Sequence, residues 1–398
     1  MKLALSTLVV TLLLATVSAQ TFKVLYTFSF KDGSSPNGDL IRDTAGNLYG
    51  TTQLGGGSGR GIVYKLDAKG VQTILYSFTG VKDGGIPIGR LLRDSAGNLY
   101  GITSLGGDPT CSCGTVFKLH PNGTLTVLHN FKGGKDGAQS QGQPELGLVM
   151  IGGDLYGAAS FGGVIGCDGN LGCGLIFKVT QSGKETVLYR FTGRTDGAFP
   201  QDLISDKAGN LYGATGGSYL QGNGGTIFRM DTTGKVKVLY TFPEGALGTS
   251  PRWRLDRQSN DVFHGVTQFG GDTTTCDLGT LGCGVAFSVD AAGKESVLHT
   301  FGKNPSAGEE PAGGLLDVGG NYYGVTFYGG IKNSTCSLGC GVVYGIAKGG
   351  KYSVLHRFTG GVDGWNPTGG LTDDGAGNLY GTAILGGSGN GVVFKITP

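Results

Sequence analysis

One four-residue motif, Asn-Leu-Tyr-Gly, recurs along this chain of 398 residues and restricts what the chain can fold into. With three divergent copies included, it occurs seven times, and successive copies stand 51 to 59 residues apart. The copies span residues 47–50, 98–101, 154–157, 210–213, 262–265, 321–324 and 378–381. A period of this length indicates a repeat architecture in which each unit buries its apolar face against its neighbours.

Each unit contains four short runs rich in β-branched and aromatic residues, separated by Gly, Asp and Asn. In the second unit they are residues 90–94, 98–103, 114–119 and 125–131, which we name strands a, b, c and d. This composition is typical of strands, and no segment shows the 3.6-residue period of an amphipathic helix. Four-stranded units repeated radially predict a β-propeller, and seven units lie within the usual range of blade number.

The two ends of the chain predict that the ring closes. Residues 22–28 form a lone d strand near the N-terminus, whereas the last unit has strands a, b and c but no d. Together the two fragments make one complete blade. We therefore expect residues 20–398 to form a single all-β, seven-bladed propeller domain, with the N-terminal strand completing the last blade.

Residues 1–19 have the features of a signal peptide. A charged start is followed by an apolar run over residues 3–17 and by small residues that suit cleavage before Gln20. This predicts a secreted, extracellular protein with no membrane span, because no later apolar segment is long enough to cross a bilayer. Sequons at Asn122 and Asn333 predict glycosylation if the source is a eukaryote.

The charge balance gives no reason to expect a nucleic-acid partner. The chain has 31 Lys and Arg residues against 29 Asp and Glu residues. A protein that binds a polyanion needs an excess of positive charge. We expect a monomer whose partner is an extracellular glycan or a protein surface.

The connections between strands are of two kinds. The a-to-b and c-to-d turns are short and contain the Asp and Gly that tight turns favour, as in residues 43–46 and 67–70. The b-to-c and d-to-a connections are long and differ from unit to unit. In an up-and-down blade these long connections emerge on one face, which we name the loop face, and function is expected there.

The combined pattern resembles a known repeat family. Each unit carries versions of Val-Leu-Tyr-x-Phe, Pro-x-Gly-x-Leu, Gly-Asn-Leu-Tyr-Gly-Thr-Thr and Gly-Thr-Val-Phe-Lys-Leu, from about residue 22 to residue 397. These units resemble the Gly-rich tandem GloVer repeats of secreted proteins, and the turn pattern is similar to that of NHL and strictosidine-synthase-like propellers. The resemblance implies an extracellular β-rich repeat protein and supplies no catalytic residues.

The eight cysteines all lie in b-to-c connections, where the second of each pair precedes the glycine that opens strand c. In an exported protein this recurring position favours a disulfide that closes a Gly-rich loop. Bridges between neighbouring units, or a thiolate metal site if the cysteines are reduced, are the alternatives. The ring closed by two cysteines only two residues apart is the most strained. The pairs are Cys111 with Cys113, Cys167 with Cys173, Cys276 with Cys283, and Cys336 with Cys340.

Two further features recur in the d-to-a connections. An Asp-Gly pair is present at Asp32, Asp83, Asp136, Asp196 and Asp363. A ring of such carboxylates suits calcium, but Asp before Gly is ordinary turn chemistry, so we expect no cofactor. A proline also precedes strand a in every unit, and we interpret it as setting the entry into that strand.

Departures from the repeat fall in units five to seven, which are neighbours in the predicted ring. We expect the candidate ligand-binding residues Arg252, Trp253, Arg254 and Trp365 to share one sector near the mouth of the central channel with the candidate catalytic residues Glu309 and Glu310. His264, which replaces the motif tyrosine in unit five, is the third catalytic candidate for an enzyme acting at that mouth. An exposed Trp beside Arg and carboxylate side chains suits a sugar or small-molecule cleft. Sequence drift explains the same departures, and His264 also fits a packed substitute for the motif tyrosine.

These observations support three hypotheses about function. The first is a secreted binding protein that recognises an extracellular glycan or surface polymer through its loop face. The second is an extracellular enzyme, a polysaccharide lyase or hydrolase, acting at the channel mouth. The third is a structural component of a wall or matrix. The sequence contains no nucleophile elbow, zinc-protease motif or P-loop, so it does not decide whether the protein is an enzyme.

Overall fold

A computed structural model describes residues 20–138, 147–167, 171–217, 224–243, 245–258 and 260–398. Within these residues the chain forms seven antiparallel sheets arranged as the blades of a propeller, as predicted. Helical structure in the same ranges is limited to short 3-10 turns such as Gly134–Asp136, Gly279–Leu281 and Pro305–Ala307. No helix of the described chain has the length and apolar character needed to cross a membrane. The predicted signal peptide lies outside the described residues.

The strands follow the predicted order a, b, c, d in each blade. Blade 1 contains β2 (Ser34–Pro36), β3 (Ile41–Arg42), β4 (Leu48–Leu54), β5 (Ile62–Leu66) and β6 (Gln72–Ser77). Blade 2 contains β7 (Gly85–Arg93), β8 (Leu99–Leu105), β9 (Thr115–Leu119) and β10 (Leu125–Asn130). Blade 3 contains β11 (Val149–Ile151), β12 (Asp154–Ala159), β13 (Leu175–Val179) and β14 (Glu185–Arg190). Blade 4 contains β15 (Pro200–Ser205), β16 (Leu211–Thr215), β17 (Thr226–Met230) and β18 (Val236–Thr241).

The remaining blades complete the ring. Blade 5 contains β19 (Asp256–Arg257), β20 (Phe263–Val266), β21 (Val285–Val289) and β22 (Glu295–Thr300). Blade 6 contains β23 (Glu309–Val318), β24 (Asn321–Tyr328), β25 (Val342–Ile346) and β26 (Tyr352–Arg357). Blade 7 contains β27 (Trp365–Pro367), β28 (Thr372–Asp373), β29 (Leu379–Leu385) and β30 (Val392–Thr397), and β1 (Thr21–Thr27) is its outer strand.

The N-terminal strand closes the ring. Strand β1 pairs antiparallel with β30, from Thr21 opposite Thr397 to Thr27 opposite Val392. Blade 7 therefore takes strands a, b and c from the C-terminus and strand d from the N-terminus, as the sequence predicts.

The recurring Asn-Leu-Tyr motif holds the a-to-b turn. In blade 1 the Asp43 carboxylate accepts hydrogen bonds from the backbone and side-chain nitrogens of Asn47, both at 2.9 Å, and from the Tyr49 hydroxyl at 2.9 Å. The same network recurs at Asp94–Asn98–Tyr100, Asp206–Asn210–Tyr212 and Asp374–Asn378–Tyr380. The motif is thus a turn device, and its tyrosine lies at the face opposite the loop face.

The hydrophobic core lies between blades. At every junction the phenylalanine after strand d of one blade packs edge to face on an aromatic ring in strand c of the next, with centroids 5.0 to 5.4 Å apart. The pairs are Phe28–Tyr64, Phe78–Phe117, Phe131–Phe177, Phe191–Phe228, Phe242–Phe287, Phe301–Tyr344 and Phe358–Phe394. Each pair adds about 0.5–1.5 kcal/mol to the stabilisation that apolar burial provides.

A second contact between blades explains the proline before strand a. At six junctions the residue before this proline has a φ between +49° and +59° and donates its backbone N–H, at 2.8 to 3.0 Å, to the preceding blade. The acceptor is the carbonyl directly before the glycine that opens strand c. The bonds are Ser35 to Asn390, Ile86 to Arg60, Phe199 to Cys173, Ser250 to Gly224, Glu310 to Cys283 and Asn366 to Cys340. The seventh proline, Pro144, lies outside the described residues.

Candidate functional site

The loop face carries most of the exposed apolar side chains. Of the thirteen large apolar residues that are exposed in the described chain, ten belong to the long connections or to the strand end that leads into one. They are Phe30, Leu54, Val81, Val164, Ile165, Leu171, Leu247, Leu281, Ile331 and Val362. Single exposed apolar residues are common, but their concentration on one face indicates an interaction surface.

Four disulfides brace these loops. The structure joins the eight cysteines within their own b-to-c connections, as predicted, with Cα–Cα distances of 5.1 to 5.6 Å that lie in the ordinary range. The bonds are Cys111–Cys113, Cys167–Cys173, Cys276–Cys283 and Cys336–Cys340. Because Cys173, Cys283 and Cys340 also accept the pre-proline N–H of the next blade, each of these disulfides rigidifies a blade junction.

Polar side chains of blades 5 and 6 converge where strand a begins, and we name Arg252, Gln268, Glu310 and Tyr328 the mouth cluster. The Gln268 side chain donates a hydrogen bond to Oε1 of Glu310, whose own backbone has a φ of 54°. Burial raises the pKa of Glu310, while the Gln268 hydrogen bond and the Arg252 charge oppose that rise. Burial also raises the pKa of Tyr328, and the Glu310 charge adds to this effect.

Aromatic side chains adjoin the mouth cluster. The rings of Phe327 and Tyr328 meet edge to face with centroids 4.7 Å apart, and both side chains are partly exposed. Asn366 of blade 7 donates to the Phe327 carbonyl at 2.7 Å, which places the neighbouring Trp365, also partly exposed, on the same side of the ring. The arrangement joins apolar faces to hydrogen-bond donors and acceptors.

A small pocket of about 160 Å³ opens beside this cluster, between blades 4 and 5. Gly216, Ser250 and Leu281 are among its lining residues. The Arg252 side chain lies 3.7 Å from the position that a Cβ on Gly216 would occupy. The loop face therefore offers a cavity next to its charged groups.

The other candidates in this sector occupy different environments. Trp253 is only 8 % exposed and packs in the core, so it does not form the exposed platform expected there, whereas Trp365 of blade 7 is partly exposed. Glu309 has no exposed surface and accepts a hydrogen bond from the Asp277 backbone at 3.3 Å. Burial, reinforced by the nearby Asp277 charge, raises the pKa of Glu309 to about 7.

Arg254 lies deeper, among charges that the sequence analysis did not identify. Its Nε lies 3.8 Å from Oδ2 of Asp39 in blade 1, and Arg90 of blade 2 lies 4.0 Å from Asp202 of blade 4. Both aspartate side chains are nearly inaccessible, with exposures of 3 % and 2 %. The four residues occupy the same position in their repeat units, directly before the leucine of strand a. Each of the two ion pairs joins blades that are not adjacent in the ring.

His264 does not belong to the mouth cluster. It pairs across the sheet with Asp256, and its Nε2 lies 3.0 Å from the Tyr322 hydroxyl, at the end of strand b near the short turns. Gln268 follows four residues later, about 13 Å further along an extended strand. His264 thus substitutes for the motif tyrosine and forms a contact with the next blade.

The Asp-Gly carboxylates are occupied by their own turns. In blade 1, for example, Asp83 accepts hydrogen bonds from the Tyr76 hydroxyl at 3.0 Å and from the Thr79 backbone at 2.8 Å.

The sequons lie at different faces: Asn122 is exposed in a c-to-d turn, and Asn333 is exposed in a loop-face connection. Glycosylation at both positions stays a prediction.

Comparison with known proteins identifies the family. The model of the Gloeobacter/Verrucomicrobia repeat matches residues 10–170, 142–278 and 221–398, so the chain belongs to this family. No curated protein matches the sequence. A virginiamycin B lyase from Staphylococcus aureus has a similar structure, with a TM-score of 0.60, 13 % identity, and coverage of 95 % of this chain and 99 % of that chain.

Two other solved structures are also similar. A streptogramin B lyase gives a TM-score of 0.59 at 14 % identity, covering 95 % of this chain and 97 % of that chain. The extracellular domain of a putative one component system from B. thetaiotaomicron gives 0.54 at 14 % identity, covering 95 % of this chain and 42 % of that chain. At such low identity these similarities show the propeller fold alone.

Proposed function

We propose that this repeat-family propeller is a secreted binding protein that recognises an extracellular glycan through its loop face. The observation that carries the proposal is the mouth cluster, in which Arg252, Gln268 and Glu310 present donors and acceptors at one point beside aromatic rings. A cleft for a sugar needs an apolar platform and a few oriented polar groups.

The surroundings of the cluster support binding at this face. Disulfides fix the loops around it, and a pre-organised surface loses less entropy when it binds. The exposed apolar residues of the outer loops extend the contact area for a polymer.

A glycan array with the secreted, oxidised protein tests this proposal. The Arg252→Ala variant removes a charged donor, and we expect it to weaken binding of the best glycan by roughly 10- to 100-fold, the equivalent of about 1.5–3 kcal/mol. Lys82→Ala is the matched control, because it removes a positive charge from an exposed loop-face position outside the cluster. An Arg252→Ala variant that is folded and binds as tightly as the parent protein contradicts the assignment.

An enzyme acting at the same mouth is the second candidate. The specific observation is Glu310, a partly exposed carboxyl group whose pKa is raised by burial, a feature that suits a general acid. The two similar structures named as lyases share the fold. Depolymerisation of a polysaccharide panel, abolished by Glu310→Gln with glycan binding retained, would favour a lyase or hydrolase over a binding protein.

A further inference from the structure

Three ligand-type side chains meet at the outer edge of the junction between blades 2 and 3. His129 lies on β10, Asp136 lies in the loop that follows, and Glu185 is the first residue of β14. One nitrogen or oxygen atom from each lies within 4.8 Å of the others. Residues 129 and 185 are thus brought together by the docking of two outer strands.

Two of the three side chains in this group have a polar atom without a partner, whereas Oδ2 of Asp136 accepts a hydrogen bond from the Lys132 backbone at 2.8 Å. Nε2 of His129 and Oε1 of Glu185 are buried, and neither has a hydrogen-bond partner in the described chain. Nε2 lies 3.3 Å from Oδ2 of Asp136 without forming a hydrogen bond. Two carboxylates and a ring nitrogen that face one another at short range call for a cation between them.

The other blade junctions show that the fold does not require this arrangement. The residue equivalent to His129 is Tyr76 in blade 1 and Tyr189 in blade 3, and each donates its hydroxyl to the aspartate of its own loop. At the junction of blades 6 and 7, His356 does form a hydrogen bond with Asp363, at 3.0 Å. There the position of Glu185 is taken by Phe22, which stacks on the imidazole at 3.6 Å.

The spacing suits a small divalent transition metal ion. Zinc bound to imidazole nitrogen and carboxylate oxygen at about 2.0–2.2 Å in tetrahedral geometry places its ligand atoms roughly 3.3–3.6 Å apart. The separation of 3.3 Å between Nε2 of His129 and Oδ2 of Asp136 matches this value, and a ligand oxygen of Glu185 lies within 4.8 Å of the ligand atoms of both residues. An imidazole ligand disfavours Ca²⁺ and Mg²⁺, which prefer oxygen ligands alone.

We infer that His129, Asp136 and Glu185 form a binding site for a divalent transition metal ion, with Zn²⁺ as the representative ion, which links blades 2 and 3. The metal neutralises the two carboxylates and supplies the partner that the buried atoms lack. The cysteines are all in disulfides, so no thiolate in the oxidised protein competes for the ion. This inference is independent of the proposed glycan site, which lies at the junction of blades 5 and 6.

Metal analysis of the untagged, oxidised protein tests the site. After treatment with EDTA and dialysis against micromolar Zn²⁺, we expect one bound Zn²⁺ per chain and a raised melting temperature, because the ion binds only the folded state. Glu185→Gln and Asp136→Asn each remove one of three ligands. Each should weaken Zn²⁺ binding by more than the 10- to 100-fold loss that accompanies removal of a second-shell partner.

A matched control comes from the repeat itself. Asp363→Asn removes the equivalent aspartate beside His356 and should leave one Zn²⁺ per chain. A parent protein that binds no Zn²⁺ at micromolar concentration, or a Glu185→Gln variant with unchanged affinity, would overturn the inference.

Discussion

Removing Arg254 tests whether the charges on the propeller axis hold the ring together. Arg254→Met keeps most of the side-chain length but removes the charge that faces Asp39. Asp39 then stays in a site where 3 % of its side chain is exposed, and it keeps the hydrogen bond from the Gly370 backbone at 2.5 Å. We expect this uncompensated carboxylate to destabilise the folded state.

The magnitude follows from the geometry of the pair. Two charges 3.8 Å apart interact by about 4 kcal/mol at an effective dielectric constant of about 20. Removal of one partner from a buried pair costs about 3–5 kcal/mol, and the retained Gly370 hydrogen bond favours the lower end. For about 380 residues the unfolding entropy is roughly 0.8 kcal/mol/K, so a loss of about 3 kcal/mol lowers Tm by about 4 °C.

Scanning calorimetry of a double-mutant cycle measures the coupling. The second variant, Asp39→Asn, keeps the acceptor for Gly370 but has no charge. We expect the double variant Asp39→Asn/Arg254→Met to lie within about 1 kcal/mol of the parent protein, because replacing both charges removes the desolvation penalty. Equal Tm values for Arg254→Met and the parent protein at pH 7 would refute the reasoning.

Three further predictions concern the scaffold. Gly61→Ala places a Cβ 2.3 Å from a backbone oxygen at a φ of +90°. We expect it to lower the free energy of unfolding, measured by chemical denaturation, by about 3 kcal/mol or more. Gly349→Ala is the control and should have little effect, because no atom lies within 4 Å of its Cβ position. Deleting residues 20–28 removes strand d of blade 7, so the cooperative thermal transition seen by circular dichroism should disappear; a sharp transition in the truncated chain would contradict ring closure. Burial raises the pKa of Asp202, so the folded state holds this proton more tightly than the unfolded chain and stability falls as pH rises through the folded pKa. Asp202→Asn should flatten that part of the Tm against pH curve, and an unchanged curve would count against the buried-carboxylate explanation.

The site could be anticipated only in part from the sequence. Departures from the repeat indicated Arg252 and Glu310 as candidates, because a residue that the scaffold does not need differs from its counterparts in the other units. The structure places the two side chains close together, and their role in binding stays a prediction. The same reasoning grouped His264 with them, although a strand separates the two ends of the blade. Gln268 and Tyr328 were missed because each occupies a repeat position that holds several residue types across the seven units, so neither stands out as a departure from the repeat.

The axial charges were also missed, although a signal was present. Aligning the residue before the leucine of strand a in all seven units gives Asp39, Arg90, Gly147, Asp202, Arg254, Gly314 and Gly370. Two acidic and two basic residues at a position that is otherwise glycine predict that their charges neutralise one another across the propeller axis. This repeat position does not predict which acidic residue pairs with which basic residue, because the pairing depends on the angular position of each blade in the ring.

The sequence by itself determined the number of blades, the order of strands and the closure of the ring. Each of these rests on local chemistry repeated in every unit, such as the Asp–Asn–Tyr turn, the strand composition and the two complementary chain ends. Only the tertiary structure decided which side chains meet. The pairs Gln268–Glu310, Asp39–Arg254 and His129–Glu185 join different blades, and their contacts depend on how whole sheets pack, which no single unit of the repeat encodes.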